Sequence, residues 1–297
     1  MIRLTAIFSA LALAFVSAHE SPEHTIEHLD AALKQQRTAP KLYQRAMAYR
    51  SLGHLEKSRA DLVEAVKMAP KNLLFHLELG NLELAARNSA GALEAATHAM
   101  PLAQNAEQKS RVHMLRAEAY YLGKQYKPSL QACQLAFRAV PEGEIEWFLL
   151  RSENQRALGQ HRERIAGLAA GIKRHPSAVL QSHWVDAQID AGQFDAALKI
   201  IDAEISDRRW TSGWLVKRAR ALYGLKQNAA AETALYAALE EIQERLNPEQ
   251  PDPFLLADQG IAHALLGNRA GAKNNLQKLH QYHAPPWLTS RLAALLK

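Results

Sequence analysis

Across residues 42–70, LYQRAMAYRSLGHLEKSRADLVEAVKMAP, small and apolar positions fall on two helical stripes separated by a turn. Ala46 and Tyr49 stand three apart and share a face, the small residue admitting a neighbouring helix and the large one filling the groove beside it. Gly53 predicts the end of the first helix, because glycine alone takes a left-handed C-terminal position without strain. A second series, Leu55, Leu62, Val63, Ala65 and Val66, keeps helical spacing until Pro70, which cannot continue a helix. One such hairpin cannot bury its own apolar faces, so the pattern predicts stacking on copies of itself.

The copies are there. The small residue of each first helix recurs as Ala46, Gly80, Ala117, Ser152, Val185, Ala219 and Gly260, at intervals of 34, 37, 35, 33, 34 and 41. Turns follow at Leu52-Gly53, Leu122-Gly123, Leu158-Gly159, Ala191-Gly192, Tyr223-Gly224 and Leu266-Gly267, and stops at Pro70, Pro141 and Pro176. Two hairpins depart from the pattern. The second has Arg87 where a turn glycine is usual and Glu83 at the large packing position. The fourth has Gln155 at that packing position and Arg164 at the small position of its second helix. Both are expected to be splayed or irregular. A longer second helix, from about Ala229 to Arg245, and the proline-broken stretch 247–253 absorb the interval of 41, too briefly to mark a domain boundary. Ser21-Pro22-Glu23 opens a lone leading helix running to about Gln36, with Ile26, Leu29 and Leu33 as its apolar stripe. Residues 287–296 predict a closing helix with Leu288, Leu292, Leu295 and Leu296 on its buried side.

These residues resemble the tetratricopeptide repeat family. The third hairpin matches with Ala117, Tyr120, Tyr126, Ala136 and Pro141, the fifth with Gly192, Phe194, Ala197 and Ile201, and the seventh with Gly260, Gly267, Ala272, Leu276 and Leu279. The resemblance spans about residues 40–284. It implies an all-α protein, a right-handed α-solenoid of about seven helical hairpins. A capping helix within 19–39 would precede the array, and another at 285–297 would follow it.

Residues 1–18 read as a cleaved secretory signal peptide: Arg3 at the start, an apolar run 4–16, and Val16-Ser17-Ala18 before the cut. That run is shorter than a membrane span, for which about 18 or more apolar residues are needed. The mature chain would begin at His19 in the periplasm or outside the cell, with no membrane insertion. Net charge is +6 over 297 residues, but the basic residues are dispersed, which argues against a nucleic-acid partner. Cys133 is the only cysteine, so no internal disulfide forms, and its apolar helix face predicts a buried, inert thiol.

No catalytic constellation is present: there is no Gly-rich phosphate loop, HExxH, CxxC or GxSxG, and nothing calls for a cofactor. The chain therefore reads as a non-catalytic scaffold. In the family, residues of each first helix that point away from the packing face line a concave groove holding a peptide or a partner's helix. The resemblance carries that role to Tyr43, Met47 and Arg50, to Met114, Glu118 and Tyr121, to Leu149, Glu153 and Arg156, to Asp186, Ile189 and Asp190, and to Arg220 and Tyr223. Aromatic and methionine anchors with charges of both signs suit recognition of a protein or peptide. A second row, Arg45, Arg116, Arg151 and Arg218, precedes the small marker of its hairpin; it reads as structural, with Asp61 the counter-ion expected for Arg45. The rival function is copper binding or delivery, by the free amine and ring of His19 with His24 and His28 behind it at helical spacing.

Overall fold

The computed structural model describes residues 21–207, 209–282, 284 and 286–297, taking only the backbone of 286 and 287; the leader and His19 lie outside it. Sixteen α-helices and no strand occur among the described residues, which fall into two compact units divided between Asn105 and Ala106.

In the first unit, α1 (Pro22–Gln35) leads into the hairpins α2 (Ala39–Ser51) with α3 (Leu55–Met68) and α4 (Leu73–Ala85) with α5 (Ser89–Ala99). Pro22 starts α1 behind Ser21, whose side chain accepts from the His24 amide at 3.3 Å. A short 3₁₀ turn, Met100–Leu102, accounts for the interval of 37 that follows.

The second unit continues with α6 (Ala106–Leu122) and α7 (Tyr126–Ala139), α8 (Ile145–Ala157) and α9 (His161–Arg174), and α10 (Ala178–Asp190) and α11 (Phe194–Ser206). Then come α12 (Ser212–Gly224) and α13 (Asn228–Arg245), α14 (Pro253–Leu265) and α15 (Arg269–Gln281), and finally α16 (Pro286–Leu295). As expected, α13 is lengthened, to 18 residues against 13 or 14 in the other second helices of this unit. The first helices α6, α8, α10, α12 and α14 each touch the next, whereas the second helices pack chiefly on the first helices beside them. First helices that crowd together while second helices spread give this unit an inner face, and its curvature is enough for α16 to touch α8 as well as α14 and α15.

All seven markers, Ala46 to Gly260, are buried. All seven turns share one geometry. A left-handed residue follows the first helix, and the next amide donates five residues back at 2.8 to 2.9 Å, for example His54 to Tyr49, Asn88 to Glu83 and Gln227 to Leu222. Gly53, Gly159, Gly192 and Gly267 hold the left-handed position as expected. In the other three it belongs to Arg87 (φ 58°), Lys124 (58°) and Lys226 (62°). Gly123 and Gly224 are therefore not the turn residues. Gly224 serves packing instead, since a β-carbon there would overlap the Phe194 ring. The second hairpin is equally regular: Arg87 adopts the glycine conformation, and Glu83, in place of an aromatic, is buried in a two-pronged pair with Arg59 at 2.7 and 2.9 Å.

Candidate functional site: the inner face of the second unit

Twelve residues after each marker the second helix brings a small side chain against the first: Ser58, Ala92, Ser129, Ala197, Ala231 and Ala272, all fully buried. Ser58 and Ser129 use the contact to donate to the carbonyls of Ala46 and Ala117 at 2.8 and 2.6 Å. In the fourth hairpin this position is Arg164, also 0% exposed. A guanidinium there must find counter-charge, because an unpaired buried cation is costly by several kcal/mol. Its Nε donates to Ser152 Oγ at 3.0 Å, and its tip passes between α8 and α10 to Asp190 Oδ2 at 2.6 Å.

Asp190 is the centre of the face. It accepts from Arg164, from Arg220 Nη2 at 2.8 Å, and from Arg291 through Nη1 and Nη2 at 2.8 and 3.0 Å. One turn earlier, Asp186 pairs with Arg220, with Lys217 Nζ at 3.4 Å and with Arg291 at 3.8 Å. Burial opposes the charge on both carboxylates, yet Arg291 and its neighbours outweigh it and hold both well below the usual range. Glu153 accepts from Arg156 at 2.9 and 3.0 Å and from the Ser290 hydroxyl at 2.8 Å.

Two of these donors, Ser290 and Arg291, belong to α16. The C-terminal helix thus does more than close the end of the stack: it lies on the inner face. Leu292 is fully buried against α14, where the marker Gly260 makes room; a β-carbon at 260 would come within 2.5 Å of Leu292 Cδ2. Tyr121 on α6 bonds Ser290, and burial raises its hydroxyl pKa above the ordinary value. Leu295, expected to be buried, is exposed.

Of the residues singled out from the sequence, Tyr121, Glu153, Arg156, Asp186, Asp190 and Arg220 come together in this face. Met114, Leu149 and Ile189 do not line it; each is buried in a core cluster between helices. Glu118 is exposed on α6, and Tyr223 packs against the core around Val216 and Leu235. Tyr43, Met47 and Arg50 lie half-buried on α2 in the first unit, where Tyr43 meets Phe75 at 5.4 Å and Arg50 meets Glu78 at 2.8 Å. The second arginine row is structural where its contacts are seen. Arg45 grips Asp61 at 2.6 and 2.7 Å, Arg151 bonds the Gly167 carbonyl at 3.0 Å beneath Phe137 and Phe148, and Arg218 bonds Asp202 at 2.9 Å. Cys133 is buried, and loss of solvent pushes its thiol up to about 12. His24 and His28 are exposed on α1, and among the described residues no group of three or more His, Cys, Asp or Glu is placed to hold a metal ion. No helix among them is long and apolar enough to cross a membrane.

Arg164, Lys217, Ser290 and Arg291 were not among the sequence candidates for this face. Arg164 carried a signal, a charge at an otherwise small, buried repeat position, which demands an acidic partner nearby. Beside α16 a cavity of about 330 Å³ remains between α10, α12 and α14, walled by Trp214, Val216, Leu255 and Leu288 among others. Asp258 opens into it from α14 and forms no side-chain hydrogen bond or ion pair among the described residues; burial raises its carboxyl to about 6 against the opposing charge of Lys217.

No protein-family model and no curated protein matches the sequence. Among solved structures, a tetratricopeptide repeat protein from Parabacteroides merdae superimposes with a TM-score of 0.63 over 87% of this chain and 98% of its own, at 16% identity. MamA from Desulfovibrio magneticus (TM-score 0.48, 21% identity, 53% and 88% of the two chains) and TTC0263, a tetratricopeptide repeat protein of Thermus thermophilus (0.46, 17%, 57% and 91%), are similar over shorter spans. Likeness at such identity concerns the backbone alone, and the superposition on the Parabacteroides merdae protein, with the seven uniform turns, identifies this chain as one built on the tetratricopeptide-repeat fold.

Proposed function

We propose that this protein is a non-catalytic scaffold that binds a segment of another protein, and that it acts outside the cytoplasm. The observation that carries the reading is the seating of α16. The inner face of the second unit offers a run of first-helix side chains with apolar and ionic positions, and a helix fits there by both kinds of contact. Catalysis has no support in the same residues, because Asp186 and Asp190 are paired with cations, Glu153 is held by Arg156 and Ser290, and Cys133 is a buried thiol. Export rests on the leader-like sequence of residues 1–18.

A photo-reactive phenylalanine analogue placed at Tyr43 or Glu118, and at Tyr236 as an exposed control on α13, tests the binding role in cells. Adducts to a common partner from Tyr43 or Glu118, and none from Tyr236, are expected. Adducts from Tyr236 alone would place binding on the opposite layer and overturn the reading. N-terminal sequencing of the mature protein should begin at His19; a retained Met1 would contradict export by this leader.

A further inference from the structure

Building on the scaffold reading, we propose that the seat of α16 is the docking site for a partner helix of the same chemistry, an arginine flanked by leucines, which enters by displacing α16. The occupant's chemistry is read from the contacts α16 makes. Arg291 supplies a two-pronged donor to Asp190 and a second contact to Asp186, Ser290 bonds Glu153, and Leu288 and Leu292 face the apolar wall. Asp190 takes both prongs of Arg291 even with Arg164 and Arg220 beside it, and a guanidinium fork matches a carboxylate in a way that an ammonium does not.

Charge balance supports the exchange. With α16 lifted, the face keeps Glu153, Asp186, Asp190 and Asp258 opposite Arg156, Arg164, Lys217 and Arg220, so it carries no net charge. The vacated seat would thus neither repel an incoming arginine strongly nor be filled by a rearranged core cation, since Arg164 and Arg220 are already committed to the carboxylates from below.

The cavity supplies the reason a partner can win. An attached helix competes at high effective concentration, so a helix arriving from outside must make contacts that α16 lacks. The volume of about 330 Å³ beside Leu288, with Asp258 at its wall and in no ion pair among the described residues, is a contact α16 leaves unmade. A partner side chain with an apolar stem and a basic tip fills that space and reaches that carboxylate.

The test uses the full chain and a fluorescent peptide with the sequence of residues 284–297. Against wild type, whose seat is occupied, the peptide should bind weakly. Against Arg291→Glu, whose own helix is released, it should bind at least tenfold more tightly, while the same peptide with glutamate at the arginine position should bind neither. Hydrogen exchange over 286–295 reports the release directly and should rise in the variant. Should Arg291→Glu fail to fold, Ser290→Pro breaks α16 while leaving both aspartates and their core cations in place, and the same comparison applies. Equal peptide binding by wild type and a folded, released variant, or none by either, would overturn the proposal. Partner adducts formed in cells alongside that result would leave the scaffold reading standing and remove only the exchange.

Discussion

Single residues carry two lessons about charge and about glycine. Asp258 holds its proton to about pH 6, whereas the unfolded chain releases it near the ordinary value of 3.8. An acid with a raised folded pKa penalises the fold once it ionises: the penalty is absent below about pH 4, grows between 4 and 6, and is complete above. Asp258→Asn should therefore raise stability by about 1–2 kcal/mol at pH 7.5 and change little at pH 4, as denaturant titrations at the two pH values would show. A gain at pH 4 as large as that at pH 7.5 would mean the carboxyl is not the cause. Glycine position is the other lesson. Glycine-ended dipeptides, four of them Leu-Gly, point to six turns in the sequence, yet at Gly224 the left-handed residue is Lys226 and the glycine faces Phe194. Lys226→Gly should stabilise by about 0.5–1 kcal/mol by relieving a left-handed side-chain residue. Gly224→Ala should destabilise by about 1–3 kcal/mol by crowding the ring. Thermal unfolding of the two variants separates packing from turn chemistry, and the opposite order would return Gly224 to the turn.

At the level of helices, the hairpin was legible because three independent signals coincide: a small residue, a turn glycine five to seven residues later, and a second small residue. Periodicity alone was a poorer guide to the two odd hairpins. Arg87 and Glu83 look like breaks in the pattern, but a left-handed arginine can close the same turn and a buried Glu83–Arg59 pair can fill the space of an aromatic. Register transfer also placed Met114, Leu149 and Ile189 on the open face, although long apolar side chains one position away can instead turn into the gap between neighbouring helices. At such a contact, the fully buried Ala136 packs with Ala117, Cys133 and Trp147. Ala136→Asp should cost about 3 kcal/mol or more by burying an unpaired charge. Exchange protection should fall first in α6 to α8, since a repeat couples chiefly to its neighbours. Uniform loosening of every helix in the second unit would argue against such local coupling.

For the molecule as a whole, the sequence foretold a stack of hairpins and a set of inward residues, but not what those residues hold. Glu153, Asp186, Asp190 and Arg220 could be named from their places in the repeat. Their common partner could not, because Arg291 lies 101 residues beyond Asp190 in a segment that reads only as an end cap. Long-range closure of this kind depends on curvature accumulated over several hairpins, which no local pattern encodes. The inner face of the second unit is consequently a filled site, and under the proposed exchange its availability to a partner turns on how firmly α16 is held. A double-mutant cycle on Arg291→Ala and Asp190→Ala, read by equilibrium unfolding, measures that grip most directly. The seated helix predicts a coupling of about 1.5–3 kcal/mol between the two positions. Costs that simply add, to within about 0.5 kcal/mol, would mean that α16 does not occupy the face in solution.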